Sequence, residues 1–287
     1  MKKFIKFTIV ITLIFFTVVI SLEYLFKDFQ NNVEQRFNTY EKDINNIECL
    51  LVGNSHIQAI GNPDINKMKS FNFSFGGQDI FHIYSIIKTL CNNSKNKLKL
   101  IIIGIDYDLL GYNYDVANTV WKDRLYFKNT NELYDSSFMN KILAKSNFFN
   151  ANRDFAKIIT KKNNGNVFQG IINNGSCLER ALEHSKTKFK IDLIEENLSF
   201  LEKIHRKLTS KKINYVIINT PKTNCYRDNY LNDDMHFCEE LIKHHCKKNN
   251  IKYFDFFYDK RFINLDFVDY DHLNIEGVNK LIKLLNN

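Results

Sequence analysis

The sequence contains very little proline, with 2 residues in 287. This scarcity argues against a proline-rich linker or wall-spanning segment. The chain also lacks internal repeats. Its composition, 44% hydrophobic and 25% charged, excludes a disordered or low-complexity chain. With 25 Phe and 14 Tyr, the chain has ample material for a hydrophobic core.

A nucleic-acid-binding signature is also missing. The formal net charge is +8, but the lysines are scattered, and no basic block, zinc-finger spacing or RNA-binding motif occurs. We therefore expect no nucleic-acid partner, and an anionic surface is the better interpretation of the basic balance. The cysteines match no zinc signature either, so the sequence predicts neither a metal site nor a cofactor.

One long run near the N-terminus lacks charge almost completely. It extends from Phe7 to Leu22 and, past Glu23, to Phe26, which is long enough to cross a bilayer. Lysines precede it, so the positive-inside rule places residues 1–6 in the cytoplasm and the bulk of the chain outside. A cleaved signal peptide, the rival interpretation, needs an Ala-x-Ala-like site that residues 18–23 do not offer. We predict a single-pass anchor over residues 7–26 and a polar stalk over residues 27–46.

Six cysteines lie in the predicted extracytoplasmic part of the chain. An even number in that compartment allows disulfides, but the sequence does not determine which cysteines pair. One of them lies in an apolar run and is expected to be a small buried hydrophobic residue. This residue is Cys49, and the others are Cys91, Cys177, Cys225, Cys238 and Cys246.

Residues 47–287 alternate between strand and helix patterns. Near-continuous apolar strands separated by helices predict a parallel sheet that is covered on both faces. We therefore expect an α/β domain, a three-layer α/β/α sandwich with a mainly parallel five-stranded sheet. The strands are predicted at 47–52, 70–75, 98–105, 214–219 and 252–257, and the helices at 79–90, 191–211, 233–248 and 275–285.

Residues 106–190 interrupt this alternation. The segment is irregular, aromatic and rich in asparagine, with weak helical patterns near 138–160. Long insertions after a strand of a parallel sheet lie above its carboxyl edge. We expect this insertion to form a lid or wall that faces the acceptor.

Chemically useful residues follow the predicted strands. Ser55 comes directly after the first strand, where a strand-to-helix turn can expose its hydroxyl. Serine is a weak nucleophile and needs a base, for which His272 is the best candidate. Asp269, three residues earlier, can hold the tautomer of that imidazole. Singly, each of these residues is better interpreted as a turn, cap or loop residue, so the prediction depends on their combination.

Three blocks of the chain resemble those of SGNH/GDSL-type hydrolases. They are residues 50–56 (LLVGNSH), 72–77 (NFSFGG) and 269–277 (DYDHLNIEG). The resemblance implies Ser55 as nucleophile, His272 as general base and Asp269 as its orienting acid. It further implies an oxyanion hole made by the N–H groups of Ser55 and of Gly76 or Gly77. With the anchor, the architecture is similar to membrane-bound DltD-like and AlgJ-like proteins, which act on acyl groups of envelope polymers.

The third block of the family is altered in this chain. The family pattern Gly-x-Asn-Asp should follow the third strand, but residues 104–107 read Gly-Ile-Asp-Tyr. Loss of an oxyanion donor of this kind costs about 10²- to 10³-fold in rate. Asn224, after the fourth strand, is the candidate replacement. Two neighbours of the triad receive no catalytic role: His56 is interpreted as substrate-facing or structural, and Asp271 is expected to point elsewhere.

Three functions remain open at this point. The leading hypothesis is an extracytoplasmic serine acyltransferase or acylesterase that acts on a cell-surface glycan or teichoic-acid-like polymer, with an integral membrane acyltransferase as a partner implied by the narrower resemblance. The alternative is a catalytically weak binding or accessory protein with the same fold, which the altered third block favours. A secreted lipase or esterase is the third hypothesis, and the anchor disfavours it.

Overall fold

The computed structural model describes residues 1–112, 121–134, 136–151 and 176–286. Its helices span Lys2–Leu25, Asn32–Asp43, Ser55–Gln58, Ile80–Asn92, Trp121–Thr130, Phe138–Lys145, Asn147–Ala151, Cys177–Leu182, Ile194–Ser210, Asn224–Tyr230, Asp233–Lys248 and Ile275–Leu285. The strands are β1 (Cys49–Val52), β2 (Ser70–Asn72), β3 (Leu100–Gly104), β4 (Asn214–Asn219) and β5 (Lys252–Asp255). Residues of the predicted insertion at 113–120, 135 and 152–175 lie outside the described residues.

The five strands form one sheet in the order β2-β1-β3-β4-β5, and every pairing is parallel. Parallel neighbours need crossover connections, which the intervening helices provide. Both faces of the central strands are buried: Leu51 and Ile102 lie on one face, and Leu50 and Ile101 on the other. The predicted three-layer α/β fold is therefore confirmed.

The C-terminal helix covers one face of this sheet. Its residues Val278, Leu281 and Leu285 belong to the same hydrophobic cluster as Leu51 and Ile102. Tyr40 is fully buried and packs against Phe71 in the edge strand β2 and against Phe73 just after it. The ring centroids are 5.4 Å apart in both pairs.

The chain divides into two units, each described separately. The first contains the described parts of residues 1–38 and 120–165, and the second those of residues 39–119 and 166–287. In the first unit, the side chain of Asn31 accepts from the N–H groups of Val33 and Glu34 at 2.8 and 2.9 Å and so begins the second helix. Its amide also donates to the carbonyl of Leu125.

The helix Lys2–Leu25 of the first unit carries the predicted anchor. It is the one helix in the described residues that is long and apolar enough to cross a membrane, with a mean hydropathy of 2.5. Glu23, the charge inside the apolar run, accepts hydrogen bonds from the Ser146 hydroxyl and the Asn147 N–H. A helix of this kind fits both an anchor and a signal sequence, so the membrane location stays a prediction.

Candidate active site

Ser55 stands where β1 ends and a short helix begins. It is the first residue of the helix Ser55–Gln58, and the side chain of Asn54 caps that helix by accepting from the His56 N–H at 3.0 Å. The helix lies very close to the ends of two strands. A Cβ added at Gly104 would lie 2.0 Å from Ile57, and one at Gly53 would lie 2.5 Å from it. Glycine at both positions therefore lets this helix hold Ser55 at the sheet edge.

His272 and Asp269 lie on the loop that precedes the C-terminal helix. The Asp269 carboxylate accepts from the backbone N–H groups of Asp271 and His272 at 3.0 and 2.7 Å, which folds the loop into a tight turn. The turn brings the Nδ1 atom of His272 to 2.9 Å from Asp269 Oδ2. The other ring nitrogen, Nε2, lies 2.9 Å from the hydroxyl oxygen of Ser55.

The three residues predicted from separate strand ends are thus hydrogen-bonded in one line. This is the spacing at which an imidazole can take the proton of a serine hydroxyl while a carboxylate holds its second nitrogen. His272 is 4% exposed, so little water competes for these contacts.

The electrostatic surroundings of His272 favour its protonated form. Burial alone lowers the pKa of His272, but the hydrogen bonds and charges of Asp269 and Asp271 outweigh it and raise the pKa to about 9. The free base, which is the form that can accept the Ser55 proton, therefore grows as the pH approaches 9.

Asp106 stands where the SGNH/GDSL-type hydrolases, which the sequence blocks resemble, have asparagine. Its Oδ2 accepts from the side chains of Asn54 at 2.6 Å and His56 Nδ1 at 2.7 Å. Its Oδ1 lies 3.1 Å from the ammonium of Lys222, whose side chain is 2% exposed. Burial raises the pKa of Asp106, but the charges of His56 and Lys222 and these hydrogen bonds reverse the effect and lower it.

The expectation that Asp271 points elsewhere is wrong. Its side chain is 1% exposed, and its Oδ1 lies 3.3 Å from His272 Nδ1. Its Oδ2 lies 3.1 Å from His56 Nε2 and 3.1 Å from Arg180 Nε. The tight turn that Asp269 caps also turns Asp271 inward, which the sequence spacing alone did not indicate. Burial raises the pKa of Asp271, but bonds from His272 and His56 bring it well below its usual range.

His56 is buried between two carboxylates, which favours the structural interpretation over the substrate-facing one. It is 5% exposed, and each of its ring nitrogens faces a carboxylate oxygen, that of Asp106 or that of Asp271. The ring centroids of His56 and His272 are 4.7 Å apart, so His56 lies beside the imidazole of the triad.

The sequence did not indicate Arg180 as a residue of the site. Arg180 lies on the helix Cys177–Leu182, inside the predicted insertion, and reaches Asp271 over 91 positions of sequence. A disulfide between Cys177 and Cys225 ties this helix to the one that follows β4. On the same stretch of chain, His184 Nδ1 lies 3.7 Å from Asp271 and 2.6 Å from the Tyr226 hydroxyl. The remaining cysteines, at 49, 91, 238 and 246, are free and buried, as expected for Cys49.

The glycine block forms a turn after β2. The N–H of Phe75 donates to the Gly53 carbonyl at 3.3 Å, which places this turn beside the end of β1. Gly77 has a φ of +69°, a left-handed conformation that favours glycine. The role of Gly76 or Gly77 as an oxyanion donor stays a prediction.

Asn224 begins the helix Asn224–Tyr230, and its amide oxygen accepts from Arg227. The preceding residue, Thr223, donates through its N–H and its hydroxyl to the carbonyl of Tyr270, in the loop that carries Asp269 and His272. The role of Asn224 as a replacement oxyanion donor stays a prediction.

His56, Asp271 and His272 also offer donor atoms within 4.8 Å of one another. Each of these atoms already faces a protein partner, and the Arg180 guanidinium lies against the carboxylate. In this structure the three side chains are engaged in hydrogen bonds, largely with one another.

Comparison with known proteins gives distant structural similarity only. No protein-family model and no curated protein sequence matches the chain. Among solved structures, the chain is similar to a GDSL-like lipase from Bacteroides thetaiotaomicron, with 9% identity and a TM-score of 0.45 over 88% of this chain and 95% of that one. It is also similar to an acetyl xylan esterase, with 13% identity and a TM-score of 0.43 over 83% and 96%. GDSL-like proteins, the class that the sequence blocks resemble, are thus among its structural neighbours. At this distance the overlaps define neither substrate nor mechanism.

Proposed function

We propose that the chain is a serine-dependent acyl-transfer enzyme of the SGNH/GDSL type. The supporting observation is the line of contacts from Ser55 through His272 to Asp269, with 2.9 Å at each nitrogen of the imidazole. Three residues from opposite ends of the domain form this line, and each has the side chain that its proposed role requires.

In the proposed reaction, the hydroxyl oxygen of Ser55 attacks the carbonyl carbon of an acyl donor. His272 Nε2 takes the hydroxyl proton, and Asp269 stabilises the imidazolium that forms. Backbone N–H groups of Ser55 and of Gly76 or Gly77 would face the oxyanion. As the bond between the acyl carbon and the leaving oxygen of the donor breaks, His272 gives its proton to that oxygen, which leaves an acyl group on Ser55 and a neutral imidazole. An acceptor hydroxyl or water then attacks the acyl carbon while His272 removes its proton, and this proton returns to the Ser55 oxygen as the acyl–serine bond breaks.

We further propose that the reaction takes place outside the cytoplasm, on acyl groups of a cell-surface polysaccharide or teichoic-acid-like polymer. The apolar helix Lys2–Leu25 supports a membrane-bound enzyme that works on nearby envelope material. The pair Cys177–Cys225 supports an oxidising compartment, where disulfides persist. An integral membrane acyltransferase would be the partner if the chain transfers acyl groups as the proteins with similar architecture do.

A fluorophosphonate probe tests the nucleophile. The full chain in detergent should be labelled at Ser55, faster at pH 9 than at pH 7, because more His272 is then free base. Ser55→Ala should abolish labelling. Ser199→Ala, at an exposed serine on the helix Ile194–Ser210, is the matched control and should label normally.

An acyl-release assay tests the substrate class. Release of acetate from an O-acetylated polysaccharide, or acetyl transfer onto its de-acetylated form, should require Ser55. If the enzyme is labelled and hydrolyses small aryl esters but acts on no polymer, the serine-dependent reaction is supported and the polymer is excluded as its substrate.

A binding or accessory protein is the second candidate function. One observation favours it: Asp106 stands where the family has its asparagine donor, and Asn54, His56 and Lys222 engage it. If the folded wild-type chain is not labelled at any pH between 6 and about 10 but retains polymer affinity, this function replaces the enzymatic one.

A further inference from the structure

The side of His272 that faces away from Ser55 meets two carboxylates. Asp269 lies 2.9 Å from Nδ1, and Asp271 lies 3.3 Å from the same nitrogen. A triad of this type needs only one carboxylate, so the second requires its own explanation. Asp271 is also the more buried of the two, with 1% of its side chain exposed against 13% for Asp269.

Asp271 is held in place by a line of polar contacts. From one end the line runs Lys222, Asp106, His56, Asp271 and Arg180, with the contacting nitrogen and oxygen atoms of neighbours 2.7 to 3.1 Å apart. Removing one member of such a buried set leaves an uncompensated charge, so each carboxylate is held ionised and in position. His56 and Arg180 contact the Oδ2 atom of Asp271. The other oxygen, Oδ1, faces His272.

We propose that Asp271, held by His56 and Arg180, is a second positioning residue for His272. Two carboxylates rather than one then keep the proton on Nδ1 and leave Nε2 directed at Ser55. The inference rests on the proposed function for the role of His272 as the base. The contact between Asp271 and His272 can nevertheless be tested by a measurement that does not depend on enzymatic activity.

The quantity measured is the pH midpoint of the His272 ring. The charged and titratable groups that bear on it are Asp269 and Asp271 from its own loop, His56 from the helix after β1, and Arg180 and His184 through Asp271. A nearby carboxylate favours the imidazolium, and a cation that neutralises this carboxylate opposes it. Substitutions of Asp271 and Arg180 should therefore move the midpoint in opposite directions.

The measurement is deuterium exchange at the ring C2–H of His272 as a function of pH, followed by peptide mass spectrometry on the full chain in detergent. The wild-type midpoint should lie near 9. Asp271→Asn should lower it by roughly 1 unit or more. Arg180→Gln should raise it. Glu183→Gln, at a partly exposed partner of Arg180 3.5 Å away, is the control and should leave it unchanged.

Opposite shifts exclude a merely structural role, because a general loosening of the site would move both variants in the same direction. An unchanged midpoint in Asp271→Asn, with a lowered one in Asp269→Asn, would overturn the inference. If Asp271→Asn does not fold, Arg180→Gln decides the question alone, since an unchanged or lowered midpoint there is also contrary. Labelling of Ser55 is scored separately. Shifted midpoints without labelling would refute the proposed enzymatic function but support the contact between Asp271 and His272. Labelling without shifted midpoints would support the enzymatic function and refute the positioning role of Asp271.

Discussion

Two sets of polar contacts meet at His272, and they differ in burial and in charge. The triad set contains Ser55, which is partly exposed, and Asp269, which accepts two backbone N–H groups besides the imidazole. The other set runs from Lys222 to Arg180, has His56 at its centre and is largely buried. We propose a catalytic role for the first set and a supporting role for the second, so substitutions in the two sets should have different effects.

Activity should separate the two carboxylates most strongly. Asp269→Asn should reduce the rate of Ser55 labelling by about 10²- to 10⁴-fold, because it removes the nearer acceptor of the Nδ1 proton. Asp271→Asn should cost much less, about tenfold, because Asp269 still holds the ring.

Labelling rates measured over a range of pH, with folding checked by circular dichroism, decide this comparison. A larger loss in Asp271→Asn than in Asp269→Asn would exchange the roles of the two residues.

Substitutions in the supporting set should lower the free energy of unfolding more than they lower activity, in contrast to those in the triad set. His56→Ala leaves Asp106 and Asp271 buried without their shared partner, and we expect a loss of about 3–5 kcal/mol in the free energy of unfolding. His236→Gln, at an exposed histidine, should change it by less than about 0.5 kcal/mol. Denaturant unfolding measures both values, and a loss below about 1 kcal/mol in His56→Ala would contradict the role of His56 as the shared partner of the two buried carboxylates.

The disulfide should stabilise the supporting set more than the triad. It closes a loop with a sequence separation of 48, for which chain entropy predicts about 4 kcal/mol at most. Replacing Cys177 and Cys225 by serine should lower the melting temperature. The triad contacts do not include either cysteine, so Ser55 should still be labelled.

The control for this prediction is the response to a reductant. Reduction should lower the melting temperature of the wild type to that of the double serine variant and leave the variant itself unchanged. A wild type insensitive to reduction would show that the pair does not form.

The smallest effect expected is a two-sided dependence of stability on pH. Asp106 and Asp271 have lowered pKa values, so their contribution is present above pH ~4 and is lost as the pH falls below it. The pKa of His272 is raised, so its contribution is present below about pH 6.5 and is lost as the pH rises through about 9. Melting temperatures from pH 3 to about 10 should show both slopes, and Asp271→Asn should weaken both.

The sequence alone predicted the sheet and the grouping of Ser55, His272 and Asp269 at one edge of it. Apolar strands alternating with helices require a parallel sheet, and parallel strands bring their carboxyl ends to one edge. Ser55 and His272 follow from that rule although 217 positions separate them. The predicted strands were a few residues too long at several ends, because apolar residues such as Phe75 and Ile105 continue past the last ladder pair.

Only the tertiary structure decided what surrounds the triad. Asp271 was expected to point away, because spacing along a loop does not show which side chains a tight turn directs inward. The sequence marked Asp106 only as the altered residue of the third block and His56 only as a neighbour of Ser55, and the segment that carries Arg180 has no pattern that indicates a site. Which charged side chains form a contact depends on their distance and burial, and the packing of remote segments determines both. That is why these partners, 50 to 215 positions apart, could not be identified before the fold placed them in contact.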